Sequence, residues 1–186
     1  MNYPRWLSSF ILLKKYKYHY IGIGLNILKN NMNYTFFWNG PFSNWYPVEF
    51  IYKGLKFLNS EQAFMWEKAM FFNDVMIADK ILKTNYPDDA KALGRLVSGY
   101  DDSWDDVRYK FMLDICIEKF SQNIILREEL LSKSNFVEAS PYDCIWGIGM
   151  GQSEEGINDP NNWKGLNLLG KVLDEVKYLL NKKDQH

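Results

Sequence analysis

The stretch Asn59-Ser60-Glu61-Gln62-Ala63-Phe64-Met65-Trp66-Glu67-Lys68-Ala69-Met70-Phe71-Phe72 has the composition of a helix buried on most of its sides. Asn59 or Ser60 can accept from the free N–H groups of a first turn. Glu61 then favours the positive end of the helix dipole. Apolar residues at 63–66 and 69–72 leave little polar face. Glu61 and Lys68 nonetheless share one face, roughly 10 Å apart along the axis. A carboxylate and an amine are costly to hold in apolar surroundings. Either this face is a partly solvated edge with local ion pairs, or the helix carries a reaction centre.

Upstream, Val48–Tyr52 and Leu55–Leu58 flank Lys53-Gly54, a two-residue hairpin signal. Tyr34–Trp38 reads as a strand, Asn39-Gly40-Pro41 as a turn, and Phe42–Pro47 sets polar amides among aromatics. Downstream, Asn73 or Asp74 caps a helix to about Leu82. Pro87-Asp88-Asp89 opens another, Ala90–Val97, ending near Gly99. Gly94 inside it is unfavourable by about 1 kcal/mol against Ala, which predicts close packing there. Ser103 caps the longest helix, Trp104 to about Phe120, with Trp104, Val107, Phe111, Ile115 and Cys116 as its inner stripe. Ile124–Leu131 is a further helix and Asn135–Ala139 a short strand. A loop from Ser140 to Gly151 has three alternate glycines, a spacing that lets backbone approach a ligand closely. It is not the dinucleotide-binding fingerprint, because no helix opens directly after it. Residues 152–162 read as an exposed loop. The last helix starts at Asn167 or Leu168, with Leu168, Leu169, Val172, Leu173, Val176 and Leu180 on its core side.

The chain of 186 residues is long enough for one sizeable core, and its 17% aromatic content predicts either a thick core or a flat-walled pocket. A net charge of −1 argues against a general nucleic-acid coat. The charge is uneven: no Asp or Glu precedes Glu49, whereas Arg5, Lys14, Lys15, Lys17 and Lys29 do. The two cysteines, Cys116 and Cys144, fit a reduced cytoplasmic protein better than a disulfide-built secreted one. His19 and His186 lie near the ends, so a Ser–His–Asp, Cys–His or His-based zinc site cannot come from the middle of the chain. Chemistry there must use carboxylates, lysines, amides and aromatics.

Residues 1–32 differ from the rest. The apolar run Trp6–Leu13 is too short to span a bilayer. Lys14-Lys15-Tyr16-Lys17 follows it with no small-residue cleavage site. This segment reads as a poorly ordered or loosely docked extension before a domain at 33–186, with Met32 as an alternative start.

Five segments in order now point to a family. They are Ser43-Asn44-Trp45-Tyr46-Pro47; Ser60 to Lys68; Trp104-Asp105-Asp106-Val107-Arg108 with Lys119-Phe120-Ser121-Gln122-Asn123; Glu138 to Gly149; and Trp163 to Gly170. This series resembles the NADAR family, which includes the YbiA-like N-glycosidases, from about Phe37 to Leu180. The resemblance implies a single compact, helix-rich α+β domain with a small antiparallel sheet. It also implies hydrolysis of an N-glycosidic bond, with no cofactor or metal and no membrane. The expected substrate is a small phosphoribosyl or ADP-ribosyl compound, such as a phosphoribosylaminopyrimidine riboflavin intermediate. ADP-ribose on guanine, free or in nucleic acid, is the other class. Glu61, Lys68 and Asp143 fall on family positions as catalytic groups. Asn44, Trp146 and Asn167 match its other motifs. Gln62 departs from the His that many members carry, which signals a different substrate or role.

The residues suit that chemistry. Cleaving a C–N bond at an anomeric carbon builds positive charge on the sugar, and needs a proton on the leaving nitrogen and an activated water. Glu61 and Asp143 supply carboxylates. A neutral Lys68 offers attack on a ring-opened sugar and a Schiff base. Trp104 and Trp146 can stack a flat heterocycle, and Arg95 or Arg108 can meet a phosphate. Each has a plainer reading: core for the tryptophans, ion pairs for the arginines, turn or cap for Asn44, Asn167 and Asp143. A module that binds ADP-ribose without turnover, and an interaction domain whose aromatics are only core, are the alternatives to an enzyme.

Overall fold

The computed structural model describes residues 33–183. The extension, its apolar runs and Met32 lie outside the described residues. The elements in order are β1 (Thr35–Phe37), β2 (Phe50–Tyr52), β3 (Leu55–Phe57), α1 (Ser60–Phe71), α2 (Val75–Ile81), α3 (Pro87–Gly94), α4 (Ser103–Gln122), α5 (Ile124–Ser132), β4 (Phe136–Glu138) and α6 (Leu168–Lys183). They make one helix-rich α+β domain.

The antiparallel sheet is the β2–β3 hairpin, with Phe50 opposite Phe57 and Tyr52 opposite Leu55. Its turn is Lys53-Gly54, with φ of 50° and 77°, the positive pair that a tight hairpin turn requires. Leu58 closes back on Val48 and the chain enters α1 at once. Asn59 is the cap, its side chain accepting from the Gln62 N–H at 2.8 Å. α1 then runs through the middle of the domain, packed by α2, α3 and α4, with Ala63, Phe64, Trp66 and Ala69 buried.

A second pair, β1 with β4, is parallel, in register Phe37 to Glu138. The sequence gives no local sign of it, because a parallel pair is joined through a long crossover, here the chain between 38 and 135. Alternation along β4 divides the interior. Phe136 faces the main core, while Val137 joins Ala139, Ile148, Met150 and Ile157 in a smaller cluster. Glu138 shares the parity of Phe136 and so points to the α1 side.

Three local expectations change. α3 stops at Gly94 rather than Val97. A Cβ there would lie 2.1 Å from Met65 Sδ, which is how closely α3 approaches α1. α4 begins without a side-chain cap, since the Ser103 hydroxyl donates to Asp101 instead. Its buried face is wider than the expected stripe, adding Met112, Leu113, Lys119 and Phe120, because α1 and α6 both pack on it.

α6 lies directly on β4. A Cβ at Gly170 would stand 2.0 Å from the Phe136 carbonyl oxygen and 2.4 Å from the Asn167 amide. Backbone cannot yield as a side-chain tip can. Gly170→Ala is therefore expected to cost about 3 kcal/mol and to lower Tm by roughly 6–12 °C, read by thermal denaturation. A variant melting within about 2 °C of the parent would show that α6 stands off the strand.

Candidate active site

The loop after β1, the last turn of α3, and the end of β4 with the loop after it enclose a cleft of about 320 Å³. Trp38, Asn39, Ser43, Trp45, Lys91, Glu138, Ser140, Tyr142 and Asp143 line it. Glu61, in the first turn of α1, is only 6% exposed. Its backbone N–H donates to the Asn44 carbonyl at 3.0 Å, and its carboxylate accepts from the Trp45 side chain. Lys91, Asp143 and Arg95 all act on it through their charge. Burial pushes its pKa up to about 7; the Asp143 carboxylate adds to the rise, and Lys91 and Arg95 oppose it.

Glu138 is the second acid, and the sequence reading passed over it. Its Oε2 is buried without a hydrogen-bond partner among the described residues. Burial, then Asp143 and Glu61, raise its pKa to about 8, against the pull of Lys91. Strand alternation in Phe136-Val137-Glu138 was the signal that could have found it. Asp143 is fixed by its turn: Oδ1 accepts from Ile145 N–H at 2.8 Å and Trp146 N–H at 2.7 Å. Its negative charge is thereby held in place beside the two glutamates. Lys91, also absent from the sequence candidates, extends over the Trp45 ring at 5.6 Å.

Lys68 lies two turns along α1 from Glu61 and does not line the cleft. Its amine donates to the Gly94 carbonyl at 3.0 Å and sits 4.3 Å from the Tyr100 ring centroid. Partial burial lowers its pKa. Between these two charges, Phe64 carries both candidate tryptophans, Trp104 at 5.2 Å and Trp146 at 5.1 Å between centroids. Trp104 is 4% exposed and also packed by Phe71, Phe72 and Phe111. Trp146 is half-buried. One face of α1 thus carries acid, aromatic and amine in succession, and the cleft opens at the acid end.

Asn167 sits at φ 51° and spends its amide on β4. Its Oδ1 accepts from Glu138 N–H at 3.0 Å and its Nδ2 donates to the Phe136 carbonyl at 2.9 Å. It thereby holds the strand that presents Glu138. The Asn44 Oδ1 is buried with no partner among the described residues. Arg95 is exposed at the C-terminal cap of α3, and Arg108 pairs with Asp105 at 2.7 Å.

Gln62 faces away from the cleft. Its side chain accepts from Leu58 N–H and donates to the carbonyls of Ile81 and Thr84, tying hairpin to α2. The alternate glycines admit backbone. A Cβ at Gly147 would meet the Asp143 and Glu138 carbonyls, each at 2.9 Å, whereas one at Gly149 would meet a side chain first, the Cys144 Sγ at 2.8 Å. Beneath the cleft, buried Lys119 donates to the Ser43 carbonyl at 2.9 Å. The Ser43 hydroxyl in turn accepts from Trp45 N–H, which supports the turn carrying the Glu61 partner. Burial lowers the Lys119 pKa to about 8.

Among the described residues, no helix is long and apolar enough to cross a membrane, and no cluster of His, Cys, Asp and Glu is disposed to hold a metal ion.

The family model for the NADAR domain matches residues 36–181. Protein irg-1 of Caenorhabditis elegans is 40% identical over 155 residues, covering 73% of this chain and 73% of that protein. An N-glycosidase of Acanthamoeba polyphaga mimivirus is 39% identical over 145 residues, covering 73% of this chain and 85% of its own. The NMR structure of the E. coli protein YbiA superposes with a TM-score of 0.68 at 26% identity, over 82% of this chain and 88% of that one.

Proposed function

Because the chain belongs to the NADAR family, we propose that it is an N-glycosidase whose reaction centre is the cleft above Glu61. The observation that carries this reading is that Glu138, Asp143 and Lys91 line one aromatic-walled hollow, with buried Glu61 just behind the lining and within reach of the charges of Lys91 and Asp143, and that burial raises the Glu61 and Glu138 carboxyls to about 7 and about 8. Such a split is what acid–base work at neutral pH requires. Glu138, raised by Asp143 and Glu61 as well as by burial, is the carboxyl that holds its proton, and Glu61, which Lys91 and Arg95 pull down, is the one that ionises. The C1–N bond breaks with its electron pair leaving on nitrogen, which takes the proton of Glu138. Water attacks C1 and yields its proton to Glu61. Asp143, held by two backbone N–H groups, stays close to the positive sugar and keeps Glu138 protonated until the leaving nitrogen needs it. A mimivirus relative named as an N-glycosidase at 39% identity supports the reaction class.

The substrate we propose is a phosphoribosyl or ADP-ribosyl N-glycoside: a phosphoribosylaminopyrimidine, or ADP-ribose on guanine, free or in nucleic acid. Two unpaired cysteines, Cys144 exposed, suit the reducing cytoplasm. A second route, amine attack on the ring-opened sugar, is favoured by Lys91 in the cleft and by the lowered pKa of Lys68. Borohydride added during turnover separates the routes: a sugar adduct on Lys91 or Lys68 supports the amine path, and its absence supports direct water attack.

The test of the activity is incubation with an ADP-ribosylguanine oligonucleotide and, separately, the phosphoribosylaminopyrimidine, with mass spectrometry of the products. ADP-ribose with the strand's guanine restored, or ribose phosphate with the free aminopyrimidine, is expected from at least one. Loss of neither, together with tight binding of ADP-ribose by calorimetry, would replace the enzyme with a binding module.

A further inference from the structure

Three large rings stand in solvent around the cleft. Tyr142 is 86% exposed, Trp38 45% and Trp45 44%. They come from two separate segments. Trp38 directly follows β1, Trp45 belongs to the turn beyond it, and Tyr142 follows β4. The parallel pairing of Phe37 with Glu138 brings the first and last of these segments side by side. The Trp38 and Tyr142 ring centroids are 6.0 Å apart, with the planes at 50°. Scattered exposed aromatics need no explanation, but three converging on one acidic cleft do. Core packing does not account for Tyr142, and none of the three rings belongs to either buried cluster.

We propose that Trp38 and Tyr142 form a stacking platform for the leaving heterocycle at the mouth of the cleft. This rests on the N-glycosidase reading and specifies where the base lies. The sugar enters toward Glu61 and Glu138, and the base remains outside against the rings. An exposed platform reads the π-face of a ring rather than its hydrogen-bonding edge. The ligand class is accordingly a flat nitrogen heterocycle, purine or pyrimidine, and a base still attached to a single strand fits as well as a free one. Trp104 and Trp146, set against Phe64, do not line this mouth.

Tyr142→Ala and Trp38→Ala should each raise KM about tenfold, within the range that one base-on-ring stack contributes, with kcat within about twofold of the parent. Tyr142→Phe should restore the parental KM, since the ring and not the hydroxyl does the holding. Unchanged KM in both alanine variants would overturn the platform while leaving the activity standing. A parent protein that turns over neither substrate would refute the activity instead. The platform then stands or falls on quenching of tryptophan fluorescence by guanosine monophosphate, which Tyr142→Ala should weaken about tenfold and which an irrelevant surface ring would leave unaltered.

Discussion

Glu61→Gln is expected to lower kcat for base release by about a thousandfold, within the range of a lost general base, with KM changed little. The amide matches the acid in size, so the Trp45 side chain keeps an acceptor and the Asn44 carbonyl keeps the backbone N–H of residue 61. What disappears is the capacity to take a proton from water. The variant should also hold more of its stability on the alkaline side. The folded pKa of Glu61 is raised to about 7, so its share of stability is complete below its unfolded value of 4.5 and is lost as pH rises through 7. Gln has no such loss. A variant with parental kcat would remove Glu61 from the chemistry whatever its melting behaviour.

Glu138→Gln is expected to lower kcat about a hundredfold and to change the shape of the pH profile. The parent should be bell-shaped. Activity falls below about pH 7 as Glu61 gains a proton, and above about pH 8 as Glu138 loses one. An amide at 138 has no proton to lose, so the alkaline limb should vanish while the acid limb persists. The folded pKa of Glu138 is also raised, so the parent loses stability as pH climbs from 4.5 through 8, and the variant should melt higher than the parent at pH 8.5. Retention of both limbs would assign the acid to another group.

Much of this was legible in the residues. Lys53-Gly54 specified a hairpin, Asn59-Ser60 the start of α1 and Asn73-Asp74 that of α2, with Asn59 and Asp74 the residues that cap in the structure, because these depend on neighbours in the chain. Asp143 declared a turn as well as a charge, and it is both. What was hidden depended on distant pairing. Glu138 faces α1 only because β4 lies parallel to β1, a contact across the whole helical middle of the domain. Lys91 looks like one more solvated lysine until α3 is laid beside Trp45. Lys68 shares a face with Glu61 as the helical period requires, yet α3 ends beside it and the Gly94 carbonyl takes its amine. Period fixes the face of a helix, and tertiary packing decides what that face meets.

The Asn167 amide illustrates the same limit. Its family position suggested a contact to substrate, whereas its two hydrogen bonds flank Glu138 through the strand backbone. Its positive φ fixes the entry to α6, and Gly170 lets that helix settle against the same strand.

Burial, with the Asp143 carboxylate adding to it, raises the carboxyls of Glu61 and Glu138 far above their ordinary range. Carboxyl carbon-13 NMR of the parent protein between pH 3 and 10, with Glu61→Gln and Glu138→Gln used for assignment, measures this directly. Titration of Glu61 near pH 7 and of Glu138 near pH 8 is the predicted result. Midpoints for both near the unperturbed 4.5 would contradict it.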